Sequence, residues 1–160
     1  MDEHPYYIRM PAENEDALFQ RRSCAEVVIS TVIQAQDSGW MRLHGFVLLP
    51  ESLEMVATPV RLGVSALIAH IQAETIPLLA VLDPNGGFIW SRHFMRTPLE
   101  TQRALDARLR MLILAPVAQG LIEAAADYTY SSANPRYTGT ISTYQGFSNS
   151  AAADAAQSNG

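Results

Sequence analysis

Lysine is missing from this sequence: all eleven basic residues are arginines. Arginine is the better fork for phosphates and carboxylates, but a bias in codon composition explains the replacement without any ligand. A basic excess is missing too. Sixteen acids outnumber the eleven arginines, giving a net charge of −5, the reverse of what a nucleic-acid-binding surface usually carries. There is one cysteine, Cys24, so no disulfide can form within the chain. No stretch approaches the roughly 20 apolar residues of a membrane span, and the start MDEHPYY is acidic and has no apolar segment of the kind that directs secretion. A cytoplasmic, soluble protein is the expectation.

What is present suits one ordinary core. With 160 residues and 48 % hydrophobic content, a single domain can bury enough surface to fold without staples. The charges are unevenly spread. Up to Pro59, nine acids face four arginines; from Val60 to Tyr130 six face six; beyond Tyr130 only Arg136 and Asp154 are charged. That last stretch is rich in Ser, Ala, Asn, Gly and Thr, too polar to form a core by itself. The expected division is a domain over 1–132 and a low-complexity, extended tail over 133–160.

Local signals place the elements. Tyr6–Met10 reads as a short strand, and Glu13–Asp16 as a loop. Ser23 and Glu26 have the spacing of a capping box, opening a helix whose Val28, Val32 and Ala35, with Ile29 and Ile33 beside them, recur at helical spacing until Asp37-Ser38-Gly39. Trp40–Leu49 and Ser52–Thr58 read as a hairpin joined through Pro50-Glu51, with alternation through Met41, Leu43, Gly45, Val47 and Leu49. Ser65 caps a second helix that should kink or stop near Thr75, because Pro77 lies inside its pattern. Asp83–Gly87 has strong turn chemistry, and Phe88–Phe94 follows as a strand. Thr97-Pro98-Leu99-Glu100 predicts the start of a third helix with Thr97 as its N-cap. Leu99, Leu105, Leu109 and Leu112 would form its buried stripe, and Pro116 would end it.

This order predicts an α+β fold: a ferredoxin-like, split βαβ arrangement with a mixed sheet, helices packed against it, an added C-terminal helix and an extended tail. The chemistry of such a chain should lie just past the turn at Pro50-Glu51.

The same stretches resemble a known family. Leu43–Pro50 is similar to the strand that leads into Pro-Asn-His-hydrophobic-His in the single-tyrosine transposases of the HUH superfamily, closest to the REP-associated kind. Gly87-Phe88-Ile89-Trp90 resembles their Gly-x-hydrophobic-Trp segment. Ala115–Leu121 resembles Asn-Pro-Val-Arg-Ala-Gly-Leu, and Asp127–Ser132 resembles their Tyr-x-Trp-Ser-Ser ending. The four come in the family's order, over Tyr6 to about Ser132. The resemblance implies a divalent ion held by two histidines one residue apart and a nucleophilic tyrosine fifteen residues before the tryptophan. Those positions hold Ser52, Glu54 and Thr75 here. The family's basic positions correspond to Asn85, His93 and Ala118. Read this way, the chain is a degenerate member without metal, cofactor or catalysis.

Other residues offer alternatives. His44 and His70 could join Glu54 in a rebuilt metal site, although hydrogen-bonded structural histidines are commoner. Arg96, Arg103 and Arg110, seven residues apart, would form one stripe along the third helix, either a DNA-binding ridge or a solvated face beside Glu100 and Asp106. Tyr137, Ile141, Tyr144 and Phe147 are the apolar anchors of the tail, and Tyr128 and Tyr130 precede them. The reading that follows is an inactive transposase-like domain reused as a protein-binding or structural subunit, docking a protein partner through the tail. The alternative is a protein that still recognises hairpin or single-stranded DNA. A homodimer is compatible with either.

Overall fold

A computed structural model describes residues 4–13, 17–83, 88 and 90–147. The central hairpin forms where the alternation places it. Its strands β2 (Met41–Leu48) and β3 (Ser52–Pro59) are antiparallel neighbours, closed by a Leu49 N–H bond to the Ser52 carbonyl at 2.9 Å. Strand β1 (Tyr6–Pro11) pairs with β3 and, on its other side, with β4 (Met95–Pro98). Helix α1 (Arg22–Asp37) joins β1 to β2, α2 (Val64–Leu82) joins β3 to β4, and α3 (Gln102–Ala118) follows. The sheet order β2-β3-β1-β4 is that of a split βαβ, ferredoxin-like α+β fold. Every strand pair in it is antiparallel, so the sheet is not mixed.

Helices cover both faces, which explains why β2 and β3 are buried almost continuously rather than at alternate positions. On one face Ile8, Met10, Leu53, Met55 and Ala57 pack under α1 and α2; on the other Tyr7, Val47, Leu49 and Val56 pack under Leu105 and Leu112 of α3. The alternation along β2 changes phase midway. Leu43 pairs with Ala57 and Gly45 with Val56, leaving His44 as the extra residue of a bulge. Met41 and Leu43 therefore face α1 and α2, whereas Val47 and Leu49 face α3. Gly45 sits where a Cβ would lie 2.9 Å from the Leu109 side chain, so its bareness lets α3 approach the sheet.

Several boundaries differ from the sequence expectation. Helix α1 has Arg21 at its N-cap and no side-chain cap. A 3₁₀ turn at Leu18–Gln20 leads straight into it, and Glu26, rather than closing a box on Ser23, accepts from Arg136 at 2.7 Å. Helix α2 starts after Gly63, not at a Ser65 cap, and runs five residues past Pro77. Pro77 and Ala73, whose carbonyl loses its usual donor, both lie on the exposed side, where water can satisfy that carbonyl. With a mean hydropathy of 1.5, α2 is also long and apolar enough, by length and composition alone, to cross a membrane. Its Leu67, Ile68, Ile71 and Leu79 are in the core.

The fourth strand lies at Met95–Pro98, beyond the expected Phe88–Phe94, where Trp90 makes only an isolated bridge to Ala12. Thr97 pairs with Tyr7 and Pro98 with Tyr6; proline is tolerated on such an edge. Helix α3 therefore begins four residues later than expected, at a second threonine, Thr101, whose hydroxyl accepts from the Ala104 N–H at 3.0 Å. Pro116 lies in its last turn instead of ending it, and Gly120, at φ 74°, closes the chain reversal. Leu99 is buried, but ahead of the helix. The turn residues 84–87, Ile89 and residues 14–16 lie outside the described residues.

The tail is not extended from Ala133 onward. Residues 133–147 pack back on the domain, and the chain from Tyr130 to Ser142 runs along the free edge of β2. The Leu48 N–H donates to the Tyr130 carbonyl at 2.8 Å, the Ser132 N–H to the Phe46 carbonyl at 2.9 Å, and the Ser142 N–H to the Leu43 carbonyl at 2.8 Å. An unpaired strand edge is thus covered by the chain's own C-terminal segment. Residues 148–160 lie outside the described residues.

Candidate functional site

Ser52 and Glu54 are two apart on β3 and share its α3 side. Ser52 is buried at the start of the strand. Glu54 lies opposite Arg9 in the β1–β3 register, and its Oε1 accepts from the Tyr7 hydroxyl at 2.5 Å. The Arg108 guanidinium of α3 lies 4.1 Å over the Tyr7 ring, within cation–π range. Burial, and then the Glu54 carboxylate, push the Tyr7 phenol well above its ordinary range, while Arg108 and Arg9 pull the other way. A phenol so held donates; it is a poor nucleophile until deprotonated. Tyr7 and Arg108 carry no signal in the sequence, because only the register of β1 on β3 brings a residue 47 positions away to Glu54.

Thr75 does not join them. It is fully buried on α2, across the sheet from Ser52 and Glu54, where its hydroxyl donates to the Ile71 carbonyl at 2.7 Å and accepts from Trp90 Nε1 at 2.9 Å. The helix that covers Ser52 and Glu54 is α3, and its residues from Gln102 to Ala118 include no Tyr, Ser, Thr, Cys or His. The three positions carried over from the resemblance are therefore not one constellation.

The rebuilt metal site is not assembled either. His44, mostly buried, contacts the Ser142 carbonyl through Nδ1 at 2.6 Å and the Thr58 hydroxyl through Nε2 at 2.7 Å. Burial, seconded by Arg42, lowers its pKa, and the bond to Ser142 opposes them. His70 is stacked on Trp40 at 4.1 Å between ring centres, and Arg61 covers the same indole. No group of three His, Cys, Asp or Glu side chains able to hold a metal ion occurs among the described residues.

The arginine stripe is broken. Arg96 lies on β4 rather than α3, and its guanidinium bonds to the Ser65 hydroxyl at the start of α2. Arg103 and Arg110 stay together on the exposed side of α3. His93 is exposed on the loop before β4, Ala118 ends α3 exposed, and Asn85 is outside the described residues. The four tail anchors are turned inward. Tyr137 is buried edge-on against Phe46, with ring centres 5.0 Å apart; Ile141 packs on the same core, and Tyr144 and Phe147 on the α3-side core.

No family model matches this sequence, and no curated protein does. Solved structures do share its architecture. The fold is that of the tyrosine transposases. A REP-associated tyrosine transposase bound to a REP hairpin superposes with a TM-score of 0.70 at 14 % identity, over 89 % of this chain and 84 % of that one. A candidate transposase from Deinococcus radiodurans R1 superposes with a TM-score of 0.53 at 7 % identity, over 74 % and 91 % respectively.

Proposed function

We propose that this transposase-like chain carries out no DNA strand transfer and serves as a protein-binding or structural subunit. One observation supports this most: the face of β3 that holds Ser52 and Glu54 has its carboxylate engaged by the Tyr7 hydroxyl and is covered by a helix without a nucleophilic side chain. A metal-polarised phosphate and an attacking hydroxyl need to meet within about 3–3.5 Å, and Thr75, fixed by Trp90 on the far side of the sheet, is not poised to take part. The acidic net charge fits a partner other than the phosphate backbone. With Tyr137, Ile141, Tyr144 and Phe147 engaged by the domain itself, the partner surface moves from the tail to the helical faces.

A second reading, recognition of hairpin or single-stranded DNA, is favoured by one thing: the similar transposase is bound to a REP hairpin. Arg103 and Arg110 are the exposed cations it would use. Incubating the purified full chain with a labelled REP-type hairpin and magnesium or manganese tests both. The expected outcome is no nicking, no covalent protein–DNA adduct and no saturable binding. An adduct or a nick would overturn the proposal. Tight binding that weakens steeply with salt, and is lost in a double Arg103→Ala, Arg110→Ala variant, would select the second reading.

A further inference from the structure

Helices α1 and α2 lie side by side on one sheet face, and a groove of about 570 Å³ runs between their outer surfaces. Along α1 it is lined by Glu26, Val27, Thr31 and Gln34; along α2 by His70, Glu74 and Leu78. Most of these positions recur at three- and four-residue intervals, so each helix contributes one wall, and the twelve residues of α1 from Glu26 to Asp37 make a trough of about 18 Å. That is three helical turns, the length over which an amphipathic helix presents its anchors to a groove.

Two features of the groove point the same way. The first is apolar: α2 is the most hydrophobic helix, yet only 28 % of its most apolar window is buried. Leu78 is 53 % exposed at the groove and Val81, one turn on, is 84 % exposed. The second is electrostatic. Glu26 and Glu74 stand on opposite walls, no arginine is among the lining residues, and Glu74 has no ion-pair or hydrogen-bond partner among the described residues. The one cation that reaches the rim shows how the wall recognises its complement: Arg136, from the C-terminal segment, bonds to Glu26 at 2.7 Å.

We propose that the α1–α2 groove receives a basic amphipathic helix of a partner protein, its apolar anchors on Val27 and Leu78 and an Arg or Lys side chain on Glu74. This deepens the protein-binding reading and rests on it. Charge complementarity chooses the occupant: Glu26 is already neutralised by Arg136, and an acidic helix, an anionic lipid surface or a nucleic acid would set its charge against the unpaired Glu74 carboxylate.

The test uses the full chain and a designed helical peptide of about 18 residues, with leucines at positions i, i+3 and i+7 flanked by arginines, and a twin in which glutamates replace the arginines. Fluorescence anisotropy should show saturable binding of the arginine peptide only, weakening with salt. Glu74→Arg should weaken that peptide roughly tenfold or more and admit the glutamate twin, which no general stickiness of a cationic peptide would do. A Leu78→Ser variant, altered only at an exposed lining position, should weaken binding roughly fivefold or more while keeping the parent's circular dichroism and melting temperature. Equal binding of both peptides, or no reversal with Glu74→Arg, overturns the groove proposal. So does binding to phosphatidylglycerol vesicles that competes with the peptide. Each of those leaves the lack of strand transfer standing, and cleavage of the hairpin DNA would remove that reading whatever the peptides do.

Discussion

Trp90 donates its indole N–H to the Thr75 hydroxyl at 2.9 Å, and that hydroxyl in turn donates to the Ile71 carbonyl at 2.7 Å. Both side chains are buried, so this short relay ties α2 to the segment that crosses beneath it before β4. Phe19 and Phe88 surround the indole, with ring centres 5.5 and 5.2 Å away. Thr75 is the joint of a core, whatever role its position has elsewhere.

Thr75→Val, nearly the same shape, should therefore be costly. It leaves the Trp90 N–H buried without an acceptor, a penalty of about 1–3 kcal/mol, whereas Thr75→Ser keeps the oxygen and should cost less than half as much. Urea unfolding followed by tryptophan fluorescence measures both. If the valine variant is as stable as the parent, the relay does not hold α2 in place.

Acid should loosen the C-terminal segment through His44. One neutral tautomer satisfies both contacts: Nδ1–H donates to the Ser142 carbonyl while Nε2 accepts from Thr58. Protonating Nε2 puts a second proton against the Thr58 hydroxyl and a charge in a buried place. The pKa of His44 is lowered from 6.5 in the folded chain, chiefly by burial, so between that value and 6.5 the unfolded chain binds more protons. The stability linked to His44 is present above pH 6.5 and is lost as pH falls through the folded pKa. Arg42 on its own strand, Asp106 and Arg110 on α3 shape the same field, so the comparison needs His44→Gln at each pH. The stability gap between parent and variant should shrink from about pH 7 to pH 5. A gap that stays constant would remove His44 as the source.

Truncation should separate a docking tail from a structural one. Tyr137 is 5 % exposed in the main core, and Tyr137→Ala should cost about 3 kcal/mol, in the range of buried aromatic truncations. Ending the chain at Ser132 should cost more and lower the melting temperature by on the order of 10 °C. It should also uncover Leu43 on the β2 edge and promote self-association. Calorimetry with light scattering reports both. An unchanged melting temperature, the result the composition of the tail suggests, would show that residues 133–147 add nothing to the domain.

The amino-acid sequence by itself determined the βαββαβ order, the central hairpin, the apolar stripe of α1 and the Leu105 and Leu112 anchors of α3. Each rests on a period of 2 or 3.6 within one stretch of chain, and such periods are visible without neighbours. Ser52 and Glu54 were picked out by the resemblance, and their two-residue spacing on a strand puts both on one face without reference to any neighbour. What only the tertiary structure decided involves partners distant in the chain. Thr97, with Pro98 and Glu100 after it, carries the stronger helix-start signal, but its pairing with Tyr7 leaves the plainer Thr101 as the cap. His44 looks like one more residue of an alternating strand until Ala57 and Val56 pair on either side of it and expel it as a bulge. Tyr7 meets Glu54, and Thr75 lies across the sheet from both, because the side on which a helix packs is set by the crossover and not by the helix. The tail is too polar to make a core, yet its Ser142 N–H bonds the open β2 edge at Leu43 and four of its apolar side chains pack on the rest of the domain. Composition counts what a segment can bury among its own residues; it does not see the hydrogen bonds and cavities that another part of the chain leaves for it.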